Sequence, residues 1–180
     1  MKFMYIWLAI DVNEQLCHLR NKIVQLSKKL DSLNTALTLP LHISLRISFC
    51  VDDAIYDNVV KTIMENYMKL SSFEMETSGI EKKENIIWLK IKENNQLKYI
   101  HQKVVDILYE EYNVELHKFD REFLFHTTLF TDDNISKVNE AYKLLYMEGV
   151  PLRLVANRLI IGTSKTGLAG EYEVVRYIEI

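Results

Sequence analysis

The sequence predicts an α/β (α+β) protein of two lobes sharing one cleft, and three observations carry that reading. Short runs that alternate like strands interleave with longer runs of helical periodicity along the whole chain. The order strand, helix, strand, helix, strand then occurs a second time. A His-x-hydroxyl motif occurs at matching places in the two passes, at His42 and at His126.

The elements follow in order. Met4–Asp11 reads as a buried strand, and Asn13–Leu30 as a helix with Leu16, Leu19, Ile23, Leu26 and Leu30 at helical spacing. Residues 31–38 read as a loop and Leu41–Phe49 as an alternating strand. Asp52 and Asp53 are good helix starters, and Ile55, Val59, Ile63 and Met64 continue that helix. Phe73–Ile80 and Asn85–Ile91 read as strands. Gln96–Tyr112 is a helix with Leu97, Ile100, Val104, Val105 and Leu108 on one face. Phe123–Phe130 is a strand, and Asp132 and Asp133 open a helix to about Tyr146. Two strands, Leu152–Gly162 and Tyr172–Ile180, flank a final loop.

Particular residues keep step between the two passes. Ile6-Trp7-Leu8 recurs as Ile87-Trp88-Leu89, an offset of 81. His42-x-Ser44-Leu45 recurs as His126-x-Thr128-Leu129, an offset of 84. Asp52-Asp53-x-Ile55 recurs as Asp132-Asp133-x-Ile135, an offset of 80. Three matches in unchanged order point to an internal duplication, about 1–80 and 81–180, within one bilobal domain. Each lobe would bury its sheet against its own helices and share a cleft with the other.

Composition removes several classes. The chain has 180 residues and a formal net charge of −3, without the basic excess used to grip long nucleic acid by its backbone. A nucleic-acid substrate is therefore expected to be small or held locally. No apolar stretch approaches the roughly 20 residues of a membrane helix, and the opening MKFMYIWLAID lacks a small-residue cleavage site. A cytoplasmic protein with no membrane partner is expected. Cys17 and Cys50 lack metal-type spacing and read as buried free thiols, which suits a reducing compartment.

The paired motifs carry the chemistry. Alternation puts His42 and Ser44 on one strand face, with Ile43 and Leu45 behind; His126 and Thr128 share a face in the same way. If the two fronts meet, two imidazoles and two hydroxyls surround one small site. One imidazole can take a proton from an attacking water or ribose hydroxyl, and the other can give one to the departing oxygen, because histidine titrates near neutrality. The hydroxyls can donate to non-bridging phosphate oxygens. This suits cleavage or transfer of a phosphodiester, with no metal and no cofactor required. Alternation also puts Arg46 on the histidine face, as a weaker phosphate contact; Lys165 is weaker still. His18 and His101, in helical patterns, and His117, in a polar segment, read as packing or surface residues, and loss of His101 or His117 should leave activity near intact. The motif strands are expected near the middle of their sheets.

His42-Ile43-Ser44-Leu45 and His126-Thr127-Thr128-Leu129 resemble the tandem His-x-Thr/Ser-x signatures of the two-histidine (2H) phosphoesterase superfamily. That group includes proteins named 2′-5′ RNA ligases and RNA 2′,3′-cyclic phosphodiesterases. Tyr5–Asp11 followed by a helix, Arg46 after the first motif, and Leu159–Ser164 with Gly170-Glu171-Tyr172 are also similar to that family. The resemblance implies two pseudo-symmetric lobes, each a mainly antiparallel sheet with helices outside, around a central cleft. It implies a metal-independent, monomeric enzyme in which His42 and His126 act on a 2′,3′-cyclic phosphate, a 2′-5′ linkage or a cyclic nucleotide, with a nucleotide or RNA end as substrate. A non-catalytic nucleotide- or RNA-binding module of the same fold is the alternative. The chain departs from the pattern twice: serine replaces the commoner threonine in the first motif, and Phe130 with an acidic pair follows the second.

Overall fold

The computed structural model describes residues 2–180. Twelve elements follow in order: β1 (Phe3–Asp11), α1 (Cys17–Lys29), β2 (His42–Asp52), α2 (Tyr56–Tyr67), β3 (Phe73–Lys83), β4 (Ile86–Ile91), α3 (Asn95–Tyr112), β5 (His126–Thr131), α4 (Ile135–Tyr146), β6 (Arg153–Ala156), β7 (Arg158–Ser164) and β8 (Glu173–Glu179). The helices start where the chemistry allows. The Asn94 side chain accepts the backbone N–H groups of Gln96 and Leu97 ahead of α3, and Asn134 accepts that of Ser136 ahead of α4. Asp132, expected to open α4, instead accepts the N–H of Asn134 and so orients the capping residue. Asn113, in the left-handed region at φ 53°, ends α3. No helix among the described residues is long and apolar enough to cross a membrane.

The strands form two antiparallel four-stranded sheets, ordered β2-β1-β7-β8 and β5-β4-β3-β6. Each sheet contains a β-α-β-α run, β1 to α2 in one and β4 to α4 in the other. The sheets do not divide the chain at residue 80, however. β3 belongs with β4, and β7 and β8 return to β1. The expected strand Leu152–Gly162 is two strands in different sheets. It breaks at Asn157, whose carbonyl accepts the N–H of Ile180 as the chain passes from one sheet to the other. The histidine strands are corrected as well: β2 and β5 lie at sheet edges, not near the middle. Those two edges come together, so the lobes meet along the strands that carry the motifs.

One continuous core lies behind both sheets. Ile6, Leu8, Ile10, Ile43 and Leu45 from the first sheet join Ile87, Leu89, Leu129 and Phe130 from the second, with Leu19, Ile23, Val59, Ile63, Leu97, Val104, Val138 and Leu145 from the helices. A second, small apolar cluster covers the front of the first sheet: Trp7, Ala9 and Ile160, flanked by Leu39, Tyr172 and Val174. Cys17 and Cys50 are exposed free thiols, contrary to the burial expected of them. Cys17 opens α1, and Cys50 alternates with the buried Phe49 and Val51, so its side chain is on the solvent face of β2.

Candidate active site

The backbone presents both histidines in the same way. His42 opens β2 and His126 opens β5. The Nδ1 atom of His42 lies 2.8 Å from the carbonyl oxygen of Pro40, and that of His126 lies 2.8 Å from the carbonyl of Leu124, two residues upstream in each case. A carbonyl only accepts, so each Nδ1 carries the hydrogen and each Nε2 is left with its lone pair. Ser44 and Thr128 follow their histidines by two residues, and all four side chains are half-buried, while Ile43, Leu45, Thr127 and Leu129 are buried behind them. The alternation read from the sequence therefore holds as far as the hydroxyls.

It fails one step later, for the same reason in both strands. In β2, Ala9 pairs with Ser44 but Leu8 pairs with Arg46, so Leu45 is an extra residue in a β-bulge. In β5, Trp88 pairs with Thr128 but Ile87 pairs with Phe130, so Leu129 is the extra residue. The bulge turns Arg46 onto the face of its partner Leu8, which is the core face. Arg46 is 2% exposed, and its Nε and Nη2 donate to Asp120 Oδ2 at 3.3 and 3.1 Å, with Nη2 also on the Glu115 carbonyl at 2.9 Å. The expectation that Arg46 contacts phosphate is corrected: its guanidinium is an inward structural cation. Its structural counterpart is Phe130, fully buried four residues after His126.

Each bulge carbonyl is capped from the opposite lobe. Asn34, in the loop after α1, donates to the Leu129 carbonyl at 3.1 Å and accepts the Thr131 N–H at 3.0 Å. His101, on α3, has Nδ1 2.7 Å from the Leu45 carbonyl and Nε2 2.9 Å from the Asp120 carbonyl. His101 is 5% exposed and ties β2 to the segment that leads into His126. His18 and His117 have no such place: His18 Nε2 lies 3.9 Å from Glu148 Oε2 at the surface, and the backbone N–H of His117 donates to Asp120 Oδ2. Lys165 is exposed on the loop between β7 and β8, which crosses the Tyr5 ring at Gly167.

Each histidine leans on a tryptophan, and these were missed as site residues although the sequence shows their repeat. Trp7 meets His42 edge-on, ring centroids 4.4 Å apart, and Trp88 stacks on His126 at 4.0 Å and 23°. The geometries differ because the register does. His42 pairs with Asp11 and His126 with Lys90, an offset of 79 (90 − 11) on the neighbouring strand, whereas the tryptophans are 81 apart (88 − 7). Two residues is one strand period, so both rings stay on the histidine face but at different levels. Trp7 has room because residue 162 is glycine: a Cβ there would run into the indole Cε3. The Trp7 Nε1 donates to Ser44 Oγ at 3.4 Å, which leaves the serine hydrogen free to point into the cleft.

The electrostatics differ between the lobes. Burial pushes His42 down to about 4; the Pro40 carbonyl and Asp11 act upwards, and the charge of His126 acts downwards. His126 is also lowered, again first by burial, with the Leu124 carbonyl opposing and Lys83 adding to the effect. Lys83 lies 4.8 Å from the centre of the Trp88 ring. A groove of 470 Å³ opens beside His126, lined in part by Lys83, Trp88, Lys90, Phe123 and Leu124. The second motif thus has Lys83 beside it, although no basic residue follows it in sequence. Among the described residues, no three or more His, Cys, Asp or Glu side chains gather as metal ligands would.

Solved structures share this architecture. The chain is similar to E. coli LigT in apo form (TM-score 0.64, 12% identity, covering 100% of this chain and 99% of that one) and to LigT complexed with NADP+ (0.66, 14%, 99% and 99%). It is also similar to TT0787 of Thermus thermophilus (0.57, 14%, 97% and 97%). No curated protein matches the chain in sequence. At these identities the likeness concerns the fold. The 2'-5' RNA ligase superfamily model, though, matches residues 18–167, a span that holds both motifs, both bulges and the two capping residues Asn34 and His101, and the chain belongs to that superfamily of two-histidine phosphoesterases.

Proposed function

We propose that this protein is a metal-independent phosphoesterase that opens a 2′,3′-cyclic phosphate at a nucleotide or RNA end, with related 2′-5′-linked and cyclic nucleotides as the wider substrate class. The observation that carries this reading is the pair of matched imidazoles, each fixed through Nδ1 to a backbone carbonyl so that Nε2 is the free nitrogen, each with a hydroxyl two residues on. LigT has been crystallised with 3'-AMP and with phosphate, which fits a cleft of this shape holding nucleotide phosphate.

The roles follow from the surroundings. His42, held near 4, keeps its lone pair through the neutral range and is the base. Its Nε2 takes the proton of a water whose oxygen attacks phosphorus. His126 gives its Nε2 proton to the departing ribose oxygen as the P–O bond breaks, leaving a phosphomonoester and a free ribose hydroxyl. Ser44 and Thr128 donate to the non-bridging oxygens as charge builds there. His126 must enter the step protonated although burial and Lys83 disfavour this, so the bound phosphate anion has to supply the compensating charge. For kcat/KM, the free enzyme therefore gives a bell whose acid limb lies near 4 and whose alkaline limb falls below the usual histidine value.

The test is turnover of a panel of 2′,3′-cyclic and 2′-5′-linked substrates in EDTA, with phosphomonoester product as the readout. Product from the intact protein and none from His42→Ala supports the reading. Tight substrate binding with no product at any pH would make the chain a binding module of the same fold.

A further inference from the structure

The groove beside His126 contains an imbalance that the two-histidine chemistry does not use. Four lysines line it, and three are paired with carboxylates: Lys90 with Glu81 at 3.2 Å, Lys92 with Glu76 at 2.7 Å and Lys98 with Glu93 at 3.1 Å. Lys83 has no carboxylate partner among the described residues. Strand register fixes its direction. Glu81 pairs with Trp88 and Lys83 with Ile86, so Lys83 shares the face of Trp88 and His126, and its ammonium lies back over the indole. Its charge acts on His126 directly. On the other side of His126 from Lys83 the groove wall is apolar, formed by Phe123 and the 55% exposed Leu124.

Among the described residues, the face of the first sheet around His42 offers nothing comparable. The residue opposite His42 is Asp11, already paired with Arg158 at 2.7 Å, and the surrounding face is Trp7, Ala9, Ile160 and Leu39. A substrate with a second negative charge next to the scissile phosphate can therefore place it favourably on one side only. We propose that Lys83 and the groove wall form a subsite for the 5′-phosphate of the terminal nucleotide, with its nucleoside against Phe123 and Leu124. This rests on the cyclic-phosphate reading above and sharpens it: the preferred substrate is an oligonucleotide end, or a nucleotide with a 5′-phosphate, over a bare cyclic nucleoside phosphate.

The experiment compares a 2′,3′-cyclic mononucleoside phosphate with a dinucleotide ending in the same cyclic phosphate, at low and moderate salt. The intact protein should favour the dinucleotide by about tenfold in kcat/KM, the worth of one charge-assisted contact. Lys83→Gln should erase that preference, read as the ratio of the two substrates in the same variant, because any change in His126 on losing the lysine charge acts on both alike. Lys82→Gln, one residue away and so on the opposite strand face, should keep the preference. Adenosine 3′,5′-bisphosphate against adenosine 3′-phosphate, followed by tryptophan fluorescence, asks the same question without turnover. A Lys83-dependent preference for the bisphosphate in a protein that turns over neither cyclic substrate would overturn the catalytic reading alone. Equal binding of the two ligands, or a preference unchanged in Lys83→Gln, would overturn the subsite.

Discussion

The two lobes use one backbone solution and two electrostatic ones. Both hold a histidine at the start of an edge strand, satisfy its Nδ1 from the same upstream position, bulge after the hydroxyl, and accept a cap from the other lobe. Around His42 the surroundings are apolar and closed, with an indole edge and a compensated aspartate. Around His126 they are open and basic, with a stacked indole and Lys83. The shared backbone arrangement thus sets the geometry, while the unequal roles proposed for base and acid rest on what surrounds each ring.

The most damaging way to probe that division is to remove a ring. His42→Ala and His126→Ala should each lower turnover by roughly 10²–10⁴-fold, the usual worth of a positioned base or acid. The double substitution should cost less than the product of the two, because they serve one step. The decisive readout is the pH profile of the residual activity: His42→Ala should lose the acid limb and His126→Ala the alkaline one. Loss of the same limb in both variants would break the assignment of unequal roles.

The caps come next. Asp120 neutralises a guanidinium that is 2% exposed, so Asp120→Ala leaves a buried charge uncompensated and should cost about 3–5 kcal/mol in urea unfolding. Asn34→Ala, which removes an uncharged cap from the other bulge, should cost about 1–3 kcal/mol. Replacing Arg46 and Asp120 together by Met and Leu should recover most of the first loss. If Asn34→Ala proved the more harmful, the ion pair would not be what secures the β2 edge. Smaller again is Gly162→Ala. Its methyl must displace Trp7, an overpacking worth about 1–3 kcal/mol, and it should lower turnover while the Trp88 side is untouched.

Much of this was legible in the sequence, up to a definable point. Periodicity located every α-helix to within a few residues, and the spacing of His42 and His126 picked out the two matched histidines with their hydroxyls. Alternation then misplaced Arg46, because a bulge leaves no mark in the pattern: Leu45 and Arg46 are both buried, and only the pairing with Ala9 and Leu8 shows why. Sheet order was equally hidden, since strand patterns record which face is buried and not which neighbour is paired. Hence the central placement expected of β2 and β5 fails, and the break at Asn157 left no trace in the pattern. His101 read as a packing residue because its two partners are backbone carbonyls, 56 and 19 residues away. The tryptophans did carry a signal, in the Ile-Trp-Leu repeat, but its offset of 81 against 84 for the histidines gave no hint that the rings would meet.

The slightest change expected separates the two lobes without any substrate. A histidine whose folded value is lowered stays neutral in the native state while its unfolded counterpart, near 6.5, takes up a proton. Above about 6.5 both states are neutral and the group contributes no pH dependence. As pH falls from about 6.5 towards 4 the unfolded state binds more protons, so stability declines, and below about 4 the contribution flattens. His42 should give the steeper decline, because burial dominates there, and His126, in the more open groove, the shallower one. Both rings are half-buried, so the effect is well short of what full enclosure would give. Urea midpoints of the intact protein, His42→Gln and His126→Gln at several pH values between about 7.5 and 4 isolate each histidine, since the carboxylates common to all three cancel in the differences. His42→Gln should hold its stability better than the intact protein as pH falls, and His126→Gln should do so less. A decline in His42→Gln as steep as in the intact protein would mean that the ring is not shielded, and the assignment of His42 as the base would lose its physical ground.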